Sequence, residues 1–330
     1  MYHKAHGIIE TLAPLHIGAS AGEETGNLNL IFRDQFTQTG IIPGSSIRGR
    51  FRADMRLKRQ LWLEKELQSQ ETDIPDPTQQ EFDEALADGK KKKLTRLQWL
   101  EKKAKEKELK PSQSINENHW YGNSANDGDT TEALVKFEYA SLVWLPVFCP
   151  GQPIVWVSCP RLLKRYKQIT GISHAIPKPV DGAYPVKLNQ HRSRLFFSLG
   201  FLDNLKDTPD LNDWVPTGSR IEPNNLVVVD DSDIATIHDM ALYRQTRTKL
   251  EDGAKKVENF FGFEALPEDS ILIFPIAIRQ SVPKVDGGNQ TAWKAFETVT
   301  EDLYFGGLES IGCGRASVRL SGEYFSTKQA

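Results

Sequence analysis

The densest run of chemically capable side chains is Ile42-Pro43-Gly44-Ser45-Ser46-Ile47-Arg48-Gly49-Arg50-Phe51-Arg52, with Arg56 one turn further on. A Pro-Gly turn sets two hydroxyls, Ser45 and Ser46, ahead of Ile47, Phe51 and Met55, which recur every four residues as on a helix with one buried face. Free backbone N–H groups at a helix start attract phosphate, and hydroxyls there cap or donate. Arg48, Arg50, Arg52 and Arg56 supply charge on the polar side. Two readings fit this pattern: a cradle for a phosphate backbone, or a capped surface helix with solvated arginines.

A second run, Phe305-Gly306-Gly307-Leu308-Glu309-Ser310-Ile311-Gly312-Cys313-Gly314-Arg315, is rich in glycines that allow a phosphate or another chain to come close. It lacks the Gly-Lys-Ser/Thr ending of a nucleoside-triphosphate loop and is expected to follow a helix, so neither an ATP site nor a dinucleotide fold is supported. His16, between Leu15 and Ile17, has an ordinary pKa near neutrality suited to acid or base work on a phosphodiester. The plainer role is a histidine packed at a strand end or touching a ligand.

The elements that position these groups read as α+β. Ile8 to Leu12 and Asn27 to Phe32 read as strands, followed by the arginine-bearing helix over 47–56. Between Leu57 and Asn118 the chain carries 13 acidic and 13 basic residues, and they are segregated. Nine acids against one base fall in 61–88, and ten bases against three acids in 89–110, including Lys90 to Lys93. With Leu94, Leu97, Trp99 and Leu100 as a narrow apolar stripe, 57–118 reads as an inserted, charged helical hairpin. The core resumes over 119–330, with strands at Ser141 to Phe148 and Ile154 to Ser158 and a helix opened by Pro160. The Pro-, Gly- and Asn-rich stretch 171–225 reads as an excursion, Ile234 to Leu250 as a helix, Ile271 to Ile278 as a buried strand and Trp293 to Phe305 as a helix ending at Gly306-Gly307.

With 330 residues, 39% of them apolar, the chain has enough material for a substantial core, and its net charge of −3 means any nucleic-acid contact must come from a local patch. No apolar run approaches the roughly 20 residues of a membrane span, and the first residues lack the pattern of a secretion leader. Cys149, Cys159 and Cys313 neither pair evenly nor show Cys-x-x-Cys spacing, so they read as buried thiols in a reducing cytoplasm, without disulfide or zinc.

The opening Leu15-His16-Ile17-Gly18, the run Arg33-Asp34 with Thr39-Gly40-Ile41-Ile42-Pro43-Gly44-Ser45-Ser46-Ile47-Arg48-Gly49, and the terminal glycine-rich loop together resemble the RAMP superfamily of CRISPR-associated proteins. The match is to backbone subunits of Csm and Cmr complexes. The middle resembles the Cmr form: Ala140 to Phe148, Trp156 to Tyr166, and Phe260 to Pro275. The resemblance covers nearly everything except 57–118. It implies a ferredoxin-like, RNA-recognition-type palm with a thumb β-hairpin, here about 171–225. It further implies a type III effector complex as the setting. The partners would be guide crRNA along the palm, target single-stranded RNA, other RAMP subunits and the large subunit. RNA contacts would then fall to His16, Ser45, Ser46, Arg48, Arg50, Arg52, Arg56, Lys164, Arg165, Arg192, Arg194, Gly306, Gly307, Gly312, Gly314 and Arg315, with Lys178, Lys187 and Phe196 or Phe197 in the thumb.

Active members of the family cut target RNA with an aspartate a few residues before the Arg-Asp pair. Here Leu28 or Asn29 stands at that position, and neither can act as a general base or bind Mg²⁺ as a carboxylate does. A binding subunit without cofactor is therefore expected. The alternative is a Mg²⁺-dependent endoribonuclease using Asp34, Glu23 or Glu24, with His16 assisting. A structural ion pair beside Arg33 is the expected role of Asp34.

Overall fold

The computed structural model describes residues 2–18, 28–70, 72–85, 91–123, 131–221, 224–250, 257–279 and 292–326; Glu23, Glu24 and Lys90 lie outside them. In chain order the strands begin with β1 (Tyr2–Thr11), β2 (Leu28–Asn29), β3 (Ile41–Ile42), β4 (Glu81–Ala85), β5 (Lys91–Thr95), β6 (Val135–Phe137), β7 (Ala140–Cys149), β8 (Gln152–Ser158) and β9 (Tyr184–Leu188). They continue with β10 (Leu195–Phe197), β11 (Gly200–Leu202), β12 (Leu205–Asp207), β13 (Asn225–Val228), β14 (Tyr243–Leu250), β15 (Val257–Ala265), β16 (Ile271–Arg279), β17 (Thr300–Tyr304) and β18 (Arg315–Ser321). The helices are α1 (Gly44–Ser69), α2 (Arg96–Glu106), α3 (Glu117–Tyr121), α4 (Pro160–Thr170), α5 (Ile234–Ala241) and α6 (Glu323–Ser326).

Two compact units divide the chain: the first is Met1–Ile47, Phe137–Ile278 and Thr298–Ala330, the second Arg48–Lys136 and Arg279–Glu297. The first is built on a sheet ordered β12-β9-β13-β8-β7-β16-β1-β18-β17, with β3 also pairing β7. Every position of β7 except Phe148 is buried, the near-continuous apolar pattern of a strand covered on both faces. Val143 and Trp144 pack with Trp156, Leu163, Tyr166 and Trp214, and the Trp144 indole N–H donates to the Trp214 carbonyl at 2.9 Å. A separate ladder, β14-β15-β2, holds the segment before Arg33.

In the second unit, Leu63 and Leu67 of α1 pack on Leu100 and Ala104 of α2, and Phe82 stacks on Trp99 with ring centroids 5.1 Å apart. Phe51 packs against Trp293 and Phe296, and the Trp293 indole donates to the Tyr121 hydroxyl at 3.0 Å.

Four expectations need correction. The segment 57–118 is only in part helical: α1 runs unbroken through residue 56 to Ser69 and packs on α2, but the charged stretch between the two helices forms the β-hairpin β4–β5, with Asp83 opposite Lys93 and a Glu81–Lys93 ion pair at 2.6 Å. Opposite charges across the strands offset the poor strand propensity of Glu and Lys. The helix expected over Ile234 to Leu250 stops at Ala241, after which Tyr243, Thr246 and Thr248 favour the strand β14. Likewise the helix expected over Trp293 to Phe305 does not form: residues 293–299 are irregular, and the β-branched run Thr298, Val299, Thr300 leads into the strand β17, which pairs with β18. Finally, 171–225 is not wholly an excursion, because β9 and β12 join the large sheet and only β10–β11 forms a separate hairpin.

Candidate nucleic-acid interface

Helix α4 follows from its sequence. Pro160 starts it, Leu162, Leu163 and Tyr166 form its buried stripe, and Gly171 closes it in the left-handed conformation with its N–H on the Lys167 carbonyl. The same periodicity puts Arg161, Lys164, Arg165 and Gln168 on the opposite face. The Asp231 carboxylate accepts the Arg161 backbone N–H at 2.9 Å and so fills the helix start.

Against this face stands the turn 34–37. Asp34 Oδ1 accepts the Phe36 N–H (3.0 Å), the Thr37 N–H (2.8 Å) and the Thr37 hydroxyl (2.9 Å). Burial raises the Asp34 pKa, but these hydrogen bonds and nearby Arg161 outweigh it and hold the carboxyl below the usual range. The turn leaves Phe36 71% exposed, with the Arg161 guanidinium 4.9 Å from its ring centre. The Arg165 guanidinium lies 4.0 Å over Tyr139 and donates to Ser141 Oγ at 3.0 Å. A cavity of about 290 Å³ opens between Asp34, Phe36, Tyr139, Arg161, Lys164 and Arg165. A second, of about 440 Å³, shares Arg161 and Lys164 and adds Lys178. Four cations and two aromatic rings thus line one open surface, a composition that suits phosphates and stacked bases.

Glu264 of β15 fixes the chain leading to this turn. It is 1% exposed, accepts the Ile31 N–H at 3.2 Å, and its two carboxylate oxygens share one arm of Arg33, Nη2, at 2.9 and 3.1 Å. Its backbone carbonyl bonds His16 Nδ1 at 2.7 Å, which makes His16 a buried packing residue with its ring edge to Phe263. Arg33 therefore pairs with Glu264 and with Asp239 (3.0 Å), not with Asp34 as the sequence suggests. The Gly40 N–H donates to His238 Nε2 at 2.9 Å, and burial drives the pKa of that imidazole down to about 3. Leu28 and Asn29 lie on β2, beside Gly262 and Phe263.

The structure ties the arginines of α1 to the chain itself. Arg48 donates to the Tyr121 carbonyl, Arg50 pairs with Asp54, and Arg52 donates to the Gly122 carbonyl (2.7 Å) and Asn118 Oδ1 (2.6 Å). Arg56 lies 3.5 Å from Glu117. Ser45 and Ser46 do occupy the first turn, which opens on Gly44, where a side chain would meet the Phe137 carbonyl at 2.6 Å.

The glycine loop makes its close approaches inside the chain. Gly306 and Gly314, both with φ near +90°, leave no space for a Cβ, which would lie 2.1 Å from the His16 carbonyl and 2.2 Å from the Phe305 carbonyl respectively. Gly307 and Gly312 have open space, and Arg315 pairs with Asp302 at 2.7 Å. Arg192 donates to the Gly151 carbonyl at 2.7 Å, and the Arg194 guanidinium lies 5.0 Å from the Phe201 ring centre. Of the sequence-derived residues, Lys164, Arg165 and Lys178 come together around α4. Sequence reasoning passed over Arg161, Phe36 and Tyr139, although the exposed stripe of α4 pointed to Arg161. Among the described residues no group of three His, Cys, Asp or Glu side chains could hold a metal ion.

No curated protein sequence matches the chain. Solved structures do match in fold. The type III-B Cmr-beta complex bound to cognate target RNA contains a chain 16% identical, with a TM-score of 0.59, covering 97% of this chain and 98% of its own. Oligomeric Cmr4 from Pyrococcus furiosus is 14% identical, with a TM-score of 0.56 and coverage of 98% and 99%. This mixed α+β architecture, a large sheet flanked by several helices, is thus shared end to end with those chains. A family model described as RAMP superfamily matches residues 8–317, and with the fold in agreement the chain belongs to the RAMP superfamily.

Proposed function

We propose that this chain is a guide-RNA-binding backbone subunit of a type III CRISPR effector complex, working without cleavage of its own. The observation that carries the reading is the open cationic and aromatic surface of α4, formed by Arg161, Lys164, Arg165, Lys178 and Phe36 in a chain whose fold is that of Cmr4 and Cmr-beta subunits. In this reading the first unit supplies a ferredoxin-like palm. Residues 171–225 supply the thumb, with the exposed Phe196 and Phe201 of the β10–β11 hairpin stacking on bases. Guide crRNA, target RNA, further RAMP subunits and the large subunit are the partners, in a prokaryotic cytoplasm. Leu28 and Asn29 in place of a carboxylate, and an Asp34 Oδ1 occupied by its own turn, support binding over catalysis.

Filter binding of a guide RNA across a salt series tests the reading. Arg161→Ala with Lys164→Ala should weaken binding and lower the salt slope by about 1.4, since each contact to a single strand contributes roughly 0.7. An unchanged slope would remove α4 from the RNA path. In the assembled complex with matched target RNA and Mg²⁺, the natural chain should leave the target intact. Cleavage that appears only with Asn29→Asp would locate the lost carboxylate, and cleavage by the natural chain would favour the displaced-carboxylate alternative.

A further inference from the structure

The second unit contains a cavity of about 650 Å³ bounded by α1, α2, α3 and the start of β4, large enough for a nucleotide. At it lies a buried ionic group. Arg59 bridges Glu101 (2.6 Å) and Glu117 (2.7 Å), with Glu117 only 2% exposed. The group is incomplete: Arg59 Nε–H and Glu117 Oε2 are both buried, and neither has a hydrogen-bond partner among the described residues. An unmatched donor and an unmatched acceptor in one buried ion pair are each costly, so the pair is built for something that completes it.

We infer that this cavity binds a guanine nucleobase. The guanine Watson–Crick edge presents an acceptor, O6, beside two donors, N1–H and the N2 amine. Arg59 Nε–H matches O6, and Glu117 Oε2 matches the donors. Uracil offers a second carbonyl where guanine offers the amine, which sets lone pairs against the carboxylate. Adenine and cytosine offer an acceptor at the position of N1–H, with the same result. Arg56 is the movable wall: its side chain is half-exposed and stands 3.5 Å from Glu117, the longest contact in the group. Turning it aside admits the base and leaves a guanidinium plane to stack on it. Gln60 and Asn118 line the same cavity with amides able to bond ribose or phosphate. The inference rests on the RNA-binding reading only for the source of the base, which is a guanosine of a single-stranded RNA or a free nucleotide.

Calorimetric titration of the full chain with guanosine, adenosine, cytidine and uridine monophosphates tests it. Guanosine monophosphate should bind at least about tenfold more tightly than the other three, the discrimination of one good base contact. Glu117→Gln, which puts an amide donor against N1–H, should abolish the preference. Gln60→Trp, which fills the cavity and keeps the Arg59–Glu117 pair, should abolish binding, and it decides alone if circular dichroism finds Glu117→Gln unfolded. Equal affinity for all four, no binding, or binding that survives Gln60→Trp would overturn the inference. An oligouridine with one central guanosine, run against oligouridine alone, identifies the source. Guide-RNA binding by the natural chain is measured in parallel: guide binding without guanosine binding sinks this inference alone, and guanosine binding without guide binding sinks the palm reading alone.

Discussion

Helices α1 and α4 both present a stripe of basic residues opposite an apolar one, yet they use it in opposite ways. On α1 the guanidinium groups of Arg48, Arg52 and Arg59 are bound to carbonyls and carboxylates of residues 101–122. On α4 the Arg161 and Lys164 side chains border open cavities, and the Asp231 carboxylate takes up the helix start. The contrast teaches that basic residues in a sequence report charge and not availability. Availability depends on whether distant backbone arrives to accept the hydrogens. On α1 it does, so the arginines act as clamps for the second unit.

The largest expected effect comes from breaking a clamp. Arg59→Ala removes the closest partner of the buried Glu117 carboxylate, at 2.7 Å, and should cost about 3–5 kcal/mol in urea unfolding, the range for half of a buried pair. The α4 pair Arg161→Ala and Lys164→Ala should change urea stability by less than about 0.5 kcal/mol, as exposed sites do. If the two losses came out equal, the comparison would fail.

Acid sharpens it next. His238 accepts the Gly40 N–H just ahead of the turn that launches α1, and it is neutral in the fold because burial lowers its pKa from 6.5 to about 3. The unfolded chain binds the proton more readily, so stability should fall as pH drops from 6.5 toward about 3 and level off below. The protection factor of the Gly40 amide should fall over the same window, and a pH-independent protection factor would break the link. The smallest effect belongs to Arg50, whose partner Asp54 is one turn away on the same helix. Arg50→Ala should cost only about 0.3–0.5 kcal/mol in the same urea assay.

Legibility in the sequence followed the range of the interaction. Pro160, the stripe Leu162, Leu163 and Tyr166, and Gly171 made α4 readable, because every determinant lies within one helix. The apolar run of β7 was readable for the same reason. Tyr243–Leu250 and Thr300–Tyr304 were misread, since their strand state depends on partners β15 and β18 as much as on their own residues. The glycine loop announced close approach without naming what approaches; at Gly306 and Gly314 it is the chain's own backbone. Phe36 was invisible as a site residue because its exposure follows from the Asp34 turn and its position beside Arg161.

The place of β1 in the large sheet has a kinetic consequence. It sits between β16 and β18, so on the ribosome β1 emerges well before the partners it pairs with, which lie far later in the chain. Contacts this far apart in sequence close slowly, and an unpaired apolar strand invites association while it waits. A nascent chain paused before Ile271 should therefore bind holdase chaperones through β1 and release them once Ile271–Arg279 and Arg315–Ser321 emerge.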